Sequence, residues 1–291
     1  MQYILALLSG VVGSFNSLSM RLYQTRYQRN QLDLRLFQVL SLFTSMLFYL
    51  VISGFQLPAK PAAWILSICF SLCITFSFYA SAEYMRSGPM SLGAVIVSCN
   101  VVIPIIVGVL FYDETLRLVS IVGIAMLLAM LILSSYSKGE SKRETTLRWY
   151  ILVLLCFLGN GCGSLCLNGY ATLSLGNNNS FLAVSYGLSA ITMLAYYLFK
   201  AGKNRDQRHK PNFSPISIVL VIVSGLAGGC VNFLLLFLNQ TMNASILYPL
   251  YNSSIAIMVT ISSCIAFREK LTKQKLIAII IGICAVICLN L

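Results

Sequence analysis

Ten apolar runs, each about the length needed to cross a hydrocarbon core of roughly 30 Å, occupy most of this chain. They fall at about 2–22, 34–54, 62–84, 90–111, 117–136, 148–170, 180–199, 215–238, 244–266 and 273–290. No stretch between them is long enough for a separate soluble domain, so any chemistry must sit among helices. Composition agrees: 58% of the 291 residues are hydrophobic, 10% are charged, and the mean hydropathy is +0.84. A soluble domain is nearer half apolar and a quarter charged. The fold class expected is an all-α integral membrane protein of ten transmembrane helices, arranged as two inverted five-helix repeats.

The net charge of +12 is not read as a nucleic-acid footprint, because the basic residues lie between spans. Counting residues at the helix ends, connections after odd-numbered spans hold 18 Lys and Arg; those after even-numbered spans hold only Lys60 and Arg117. Positive residues gather in cytoplasmic loops, which predicts odd connections in the cytoplasm and both termini outside. No positive residue precedes the first run, and Arg21, Arg26 and Arg29 follow it, so it reads as a span and not as a cleaved leader.

Two short turns mark the same hairpin in each half. Phe111-Tyr112-Asp113-Glu114-Thr115-Leu116 separates spans four and five, and Ala266-Phe267-Arg268-Glu269-Lys270-Leu271 separates spans nine and ten. The first is acidic. The second is basic. Span one, Tyr3–Tyr23, also aligns without gaps on span six, Tyr150–Tyr170, sharing both end tyrosines and the central Ser17-Leu18/Ser164-Leu165. The halves are thus 1–136 and 148–291, joined by the polar linker 137–147. An odd number of spans per half inserts the second upside down, which explains the opposite dress of the two turns. Glu114 and Glu269 are read as structural, since a carboxylate ahead of a helix accepts bonds from the free N–H groups of its first turn.

Polar side chains inside spans must face the bundle interior or water. Asn160 and Ser164 share one face of span six with Asn168. Asn16 and Ser17 lie on span one, Asn100 precedes Pro104 on span four, and Asn232 lies on span eight. Span nine carries Tyr248, Tyr251 and Asn252, and span three places Tyr79 on a face with Thr75 and Glu83. These are the candidate substrate-binding residues, with interhelical hydrogen bonding as the plainer role for each. Glu83 is the one carboxylate within a span and so the candidate for proton coupling; an ion pair with Arg86 is its structural alternative. Gly159-x-x-x-Gly163 and Gly225-x-x-x-Gly229 are packing faces.

Cys69/Cys73, Cys162/Cys166 and Cys284/Cys288 lie one turn apart within spans, and His209 is the sole histidine. Such cysteines pack as small hydrophobes, and neither a metal site nor a cofactor is expected. The same lack of a His/Asp/Glu or Cys/His set argues against a lipid-modifying enzyme.

With Tyr79-Ala80-Ser81-Ala82, Gly88-Pro89, Pro104 and the Glu-x-Leu turns in view, the chain resembles the drug/metabolite transporter superfamily in its ten-helix EamA-like form. The resemblance spans essentially the whole chain and identifies a superfamily, not a substrate. It implies a secondary transporter of the cell membrane, with a small polar metabolite (amino acid, nucleoside-like or sugar-like) carried by alternating access between the repeats. A multidrug or lipid-linked exporter, or a receptor or scaffold without transport, are the alternatives. Partners implied are the bilayer and a small solute. Span one offers Ser14, Asn16 and Ser17 where small multidrug exporters of the superfamily use a glutamate, which disfavours organic cations. Departures are Ala278 where the family has a glycine, the unmatched repeat positions of Pro104 and Pro249, and the cytoplasmic termini usual among relatives.

Overall fold

The computed structural model describes residues 2–28, 30–87, 93, 96–97, 99–111, 118–135, 146–203, 214–267 and 273–290. The turns at Glu114 and Glu269 lie outside the described residues, as does 137–145 of the linker. Among the described residues there is no strand. The helices whose bounds fall within the described residues are α1 (Gln2–Arg26), α2 (Gln31–Ile52), α3 (Pro61–Ser87), α4 (Val102–Phe111), α5 (Leu118–Ser135), α6 (Leu147–Thr172), α7 (Asn178–Lys203), α8 (Pro215–Leu238), α9 (Ala244–Phe267) and α10 (Lys273–Asn290); residues 93, 96 and 97 are helical as well.

Several boundaries follow from short-range chemistry. The Asp33 carboxylate accepts the Asn30 N–H at 2.9 Å and closes the first turn of α2. Thr146 caps α6 through its hydroxyl, which accepts the Trp149 N–H at 3.3 Å. Ser214 does the same for α8, followed by Pro215 at the position where a missing N–H costs nothing. Ahead of α4 the chain tightens into a single 3₁₀ turn, Cys99–Val101. Pro104 is the cause: it has no N–H for the carbonyl of Asn100, four residues back, and its ring crowds that carbonyl. Pro249 lies inside α9, which continues through it to Phe267.

Among the described residues six helices, α1, α2, α3, α6, α7 and α8, are long and apolar enough to cross a membrane; shorter apolar segments cover Cys99–Phe111, Leu118–Met130 and Ala244–Val259. Ile4, Val51, Leu110, Phe111, Leu118 and Phe199 are each at least 67% exposed. Large bare apolar surfaces on many helices at once are tolerable only against lipid. The chain is a multi-pass membrane protein.

The helix pairings carry a two-fold pattern. α3 packs on α6, α1 on α8, α2 on α7, and α5 on α10; α1 also meets α9, α4 meets α6, α2 meets α8, and α3 meets α7. Exchanging α1–α5 for α6–α10 turns these pairings into one another; α5 on α9, α6 on α8 and α7 on α8 are further contacts whose exchanged counterparts are slighter. α6 begins at the face where α1 ends.

Two seams bind the halves turn by turn. Along α2 and α8, the hydroxyls of Ser41, Ser45 and Tyr49 donate to the carbonyls of Val221, Gly225 and Gly229, the first two at 3.3 and 2.7 Å. Each pair is 180 positions apart. Gly225 is what permits this approach, since a Cβ there would sit 2.5 Å from the Ser41 carbonyl oxygen. Along α3 and α7, Thr75 meets Thr192 at 2.9 Å, the Tyr79 ring meets Tyr196 edge-on at 5.2 Å, and Glu83 meets Lys200 at 3.5 Å. These three pairs share an offset of 117, while a fourth contact of the same helices, Ser189 Oγ to the Ser71 carbonyl at 3.2 Å, has 118.

The two ends of the bundle differ. Arg26, Arg35, Arg148 and Lys200 mark a basic face. At the other, Lys60 Nζ donates to the Ser174 carbonyl at 3.3 Å and Asn177 Nδ2 to Gln56 Oε1 at 3.5 Å. Tyr170, Phe181, Leu236, Leu238, Leu247 and Tyr248, none more than 1% exposed, plug that half of the bundle.

Candidate functional site

A cavity of about 490 Å³ lies between the halves, within the size range of small-molecule sites. Its walls reach from Phe70, Leu167 and Leu235 near mid-bundle to Met20, Phe37, Tyr84 and Val97 towards the basic face. The space is therefore displaced towards that face and blocked from the other by the apolar plug.

Eight of the ten residues singled out from the sequence line it: Asn16, Ser17, Asn100, Asn160, Ser164, Asn232, Tyr251 and Asn252. Their hydrogen bonds fix what each presents. Asn100 Nδ2 donates to the Val97 carbonyl at 2.7 Å, Asn252 Nδ2 to the Tyr248 carbonyl at 2.9 Å, and Asn160 Nδ2 to Cys156 Sγ at 3.6 Å. One N–H of each amide is thus tied to a residue three or four positions earlier, and its oxygen has no partner among the described residues. Asn16 Oδ1 accepts from Ser224 Oγ at 3.4 Å, while Asn232 Nδ2 donates to Tyr186 Oη at 2.5 Å. The Tyr251 hydroxyl has no hydrogen-bond partner among the described residues.

Tyr79 and Tyr248 do not line the cavity. Tyr248 is 1% exposed; its hydroxyl donates to the Ser164 carbonyl at 2.7 Å and accepts from Asn239 Nδ2 at 2.9 Å, so it belongs to the plug. Tyr79 shares the Thr75–Glu83 face of α3, which is taken up by the seam with α7. The cavity receives the neighbouring face instead, with Ile74, Ser77, Phe78, Ser81 and Tyr84.

Glu83 lies off the cavity, in a cluster at the basic end of that seam. Its Oε1 is 3.0 Å from Nη2 of Arg35 and 3.5 Å from Nζ of Lys200, and Oε2 is 4.0 Å from Nη2 of Arg148. The i, i+3 partner expected from sequence, Arg86, has its side chain outside the described residues. Arg35 is only 3% exposed and lies between two aromatic faces, 5.3 Å from the Tyr79 centroid and 5.4 Å from that of Tyr196. It donates as well to the carbonyls of Phe78 and Tyr79, at 3.2 and 3.4 Å.

Sequence reasoning missed Gln38, Ser41, Ser45, Tyr84, Tyr186 and Ser224, all on the cavity wall. The one-turn spacing of Ser41, Ser45 and Tyr49 was a readable signal of a polar helix face. Tyr186 had none; its role comes from stacking on Tyr49 at 6.0 Å, between helices far apart in sequence. No charged residue lines the cavity among the described residues.

The lipid-facing helical bundle thus holds, between its two halves, a cavity whose described lining sets amides, hydroxyls and tyrosine rings among a larger apolar share and includes no charged side chain. The family model for the EamA-like transporter family matches the chain twice, over residues 1–136 and 149–291, and the chain belongs to that family. It is a membrane transporter of the drug/metabolite type, in contact with the bilayer, in a family of transporters and not of enzymes. No curated protein matches the sequence. One solved crystal structure superposes with a TM-score of 0.76 over 100% of this chain and 98% of its own, at 12% identity, a likeness of fold.

Proposed function

We propose that this protein is a secondary transporter of the cell membrane, moving an uncharged polar solute with a ring moiety through the central cavity by alternating access. The observation that carries the solute class is the lining itself: amide oxygens, hydroxyls and the rings of Tyr84, Tyr186 and Tyr251, with no charged side chain among the described residues. A free amino acid brings two charges that need partners in a desolvated site. An organic cation needs a carboxylate. A nucleoside-like or sugar-like solute needs neither: its hydroxyls and N–H groups donate to the oxygens of Asn100, Asn160 and Asn252, and its ring stacks on the aromatic walls.

The reading takes the chain as ten spans in two inverted five-helix repeats, which the exchange symmetry of the helix contacts and the opposite starts of α1 and α6 support. Positive-inside reasoning puts the basic face in the cytoplasm, so that the cavity is on its cytoplasmic side here and both termini are extracytoplasmic. Glu83, the candidate for proton coupling, is assigned a supporting place in the ion cluster instead, because it lies off the cavity wall. The test is uptake of tritiated uridine, glucose and leucine by proteoliposomes holding the purified protein. Uridine or glucose exchange without leucine exchange is expected; preferential leucine transport overturns the solute class.

A further inference from the structure

We infer that Gln38 is a specificity-determining hydrogen-bond donor in the cavity, held in that role by Arg35 and, through it, by Glu83. The inference rests on the transport reading above and names a donor which that reading leaves unassigned.

A glutamine amide offers an oxygen on one side and two N–H bonds on the other, and which way it turns is decided by its neighbours. Here one neighbour leaves no choice. Nη1 of Arg35 lies 3.4 Å from Oε1 of Gln38, and a guanidinium only donates, so the amide oxygen must face Arg35. Nε2 then points away and lies 3.4 Å from the Phe78 carbonyl, which accepts one of its two N–H bonds. The second N–H has no partner among the described residues, and Gln38 is part of the cavity wall. A solute acceptor is what completes it.

The cation does more than orient. A positive charge on the amide oxygen draws density from nitrogen and strengthens the remaining N–H as a donor, an effect that a low-dielectric site amplifies. Arg35 itself has little freedom. Glu83 at 3.0 Å, the Phe78 and Tyr79 carbonyls, and two tyrosine faces hold its guanidinium. Gln38 thereby answers the amide oxygens of Asn100, Asn160 and Asn252, and the recognised solute carries an acceptor such as a ring carbonyl close to its donors. Gln38 is 2% exposed, so the bond forms out of bulk water.

Two variants separate this role from packing. Gln38→Glu keeps the shape and gives Arg35 a carboxylate partner, so the fold is retained while the donor is replaced by acceptors; Gln38→Leu removes the amide. With tritiated uridine as probe, both are expected to bind at least tenfold more weakly than wild type in detergent, with Gln38→Glu keeping the wild-type melting temperature. Unchanged uridine affinity in Gln38→Glu overturns the inference. A second measurement needs no solute: Gln38→Cys is labelled with anionic and with cationic methanethiosulfonates, and site-resolved mass spectrometry reads position 38. Labelling from water, faster with the anionic reagent and losing that preference when Arg35→Gln is added, is expected. A position 38 that is unreactive, or indifferent to reagent charge, overturns the placement. Failure of the wild type to bind uridine counts against the solute class of the transport reading, while the labelling still decides the placement of Gln38.

Discussion

Oε1 of Glu83 and Nη2 of Arg35 stand 3.0 Å apart inside the helical bundle, on side chains 9% and 3% exposed. Neutralising one partner leaves the other charged, buried and short of a bond. Glu83→Gln is expected to destabilise the protein by roughly 3 kcal/mol, read as a lower melting temperature in detergent. The double variant Glu83→Gln/Arg35→Gln should lose less than the two single losses added together. Additive losses would show that the pair is not an energetic unit.

The seam between α2 and α8 makes a second prediction. Gly225→Ala puts a methyl group 2.5 Å from the Ser41 carbonyl oxygen and is expected to cost about 1–3 kcal/mol. Gly202, on α7, has nothing within 4 Å of an added Cβ, and Gly202→Ala should be neutral or stabilising by up to about 1 kcal/mol. Equal effects at the two sites would mean that the seam is not tight.

Asn160→Leu and Asn252→Leu each remove an amide oxygen from the cavity while breaking only a local N–H bond within their own helix. Solute flux should fall by about tenfold, the worth of one lost hydrogen bond of ordinary strength, with membrane expression intact. Full uptake in both variants would remove these residues from the solute path.

The loop charges predict where the C-terminus lies. A C-terminal alkaline phosphatase, active only outside the cytoplasm, should be active, and a C-terminal fluorescent protein that matures only in the cytoplasm should be dark. The opposite pair of results would invert the orientation and turn the cavity outward.

The chain shows how far sequence pattern reaches in a membrane bundle. The spans were legible because apolar length is a local property; the caps at Thr146 and Ser214 are equally local, and came to light only in the structure. The amides of the cavity were legible because a polar group in a span has few places to go. Arg35 was not. In sequence it enters only the count of loop cations, whereas its partner Glu83 is 48 positions away on another helix. Tyr79 was misjudged for the same reason: a shared helix face is visible in sequence, but which neighbour covers that face is not. The 3₁₀ turn at Asn100 lies between these cases, since Pro104 marks a disturbance four residues ahead without stating its form.

The offset that recurs along α2 and α8, 180 at three successive turns, has a mechanical meaning. Partners that recur every turn work like the teeth of two racks. A slip of one residue breaks every bond in the row at once, and the next matching position is a full turn away, about 5.4 Å along the axis. Such a row resists small sliding, because its hydrogen bonds must all break together before the next register is reached.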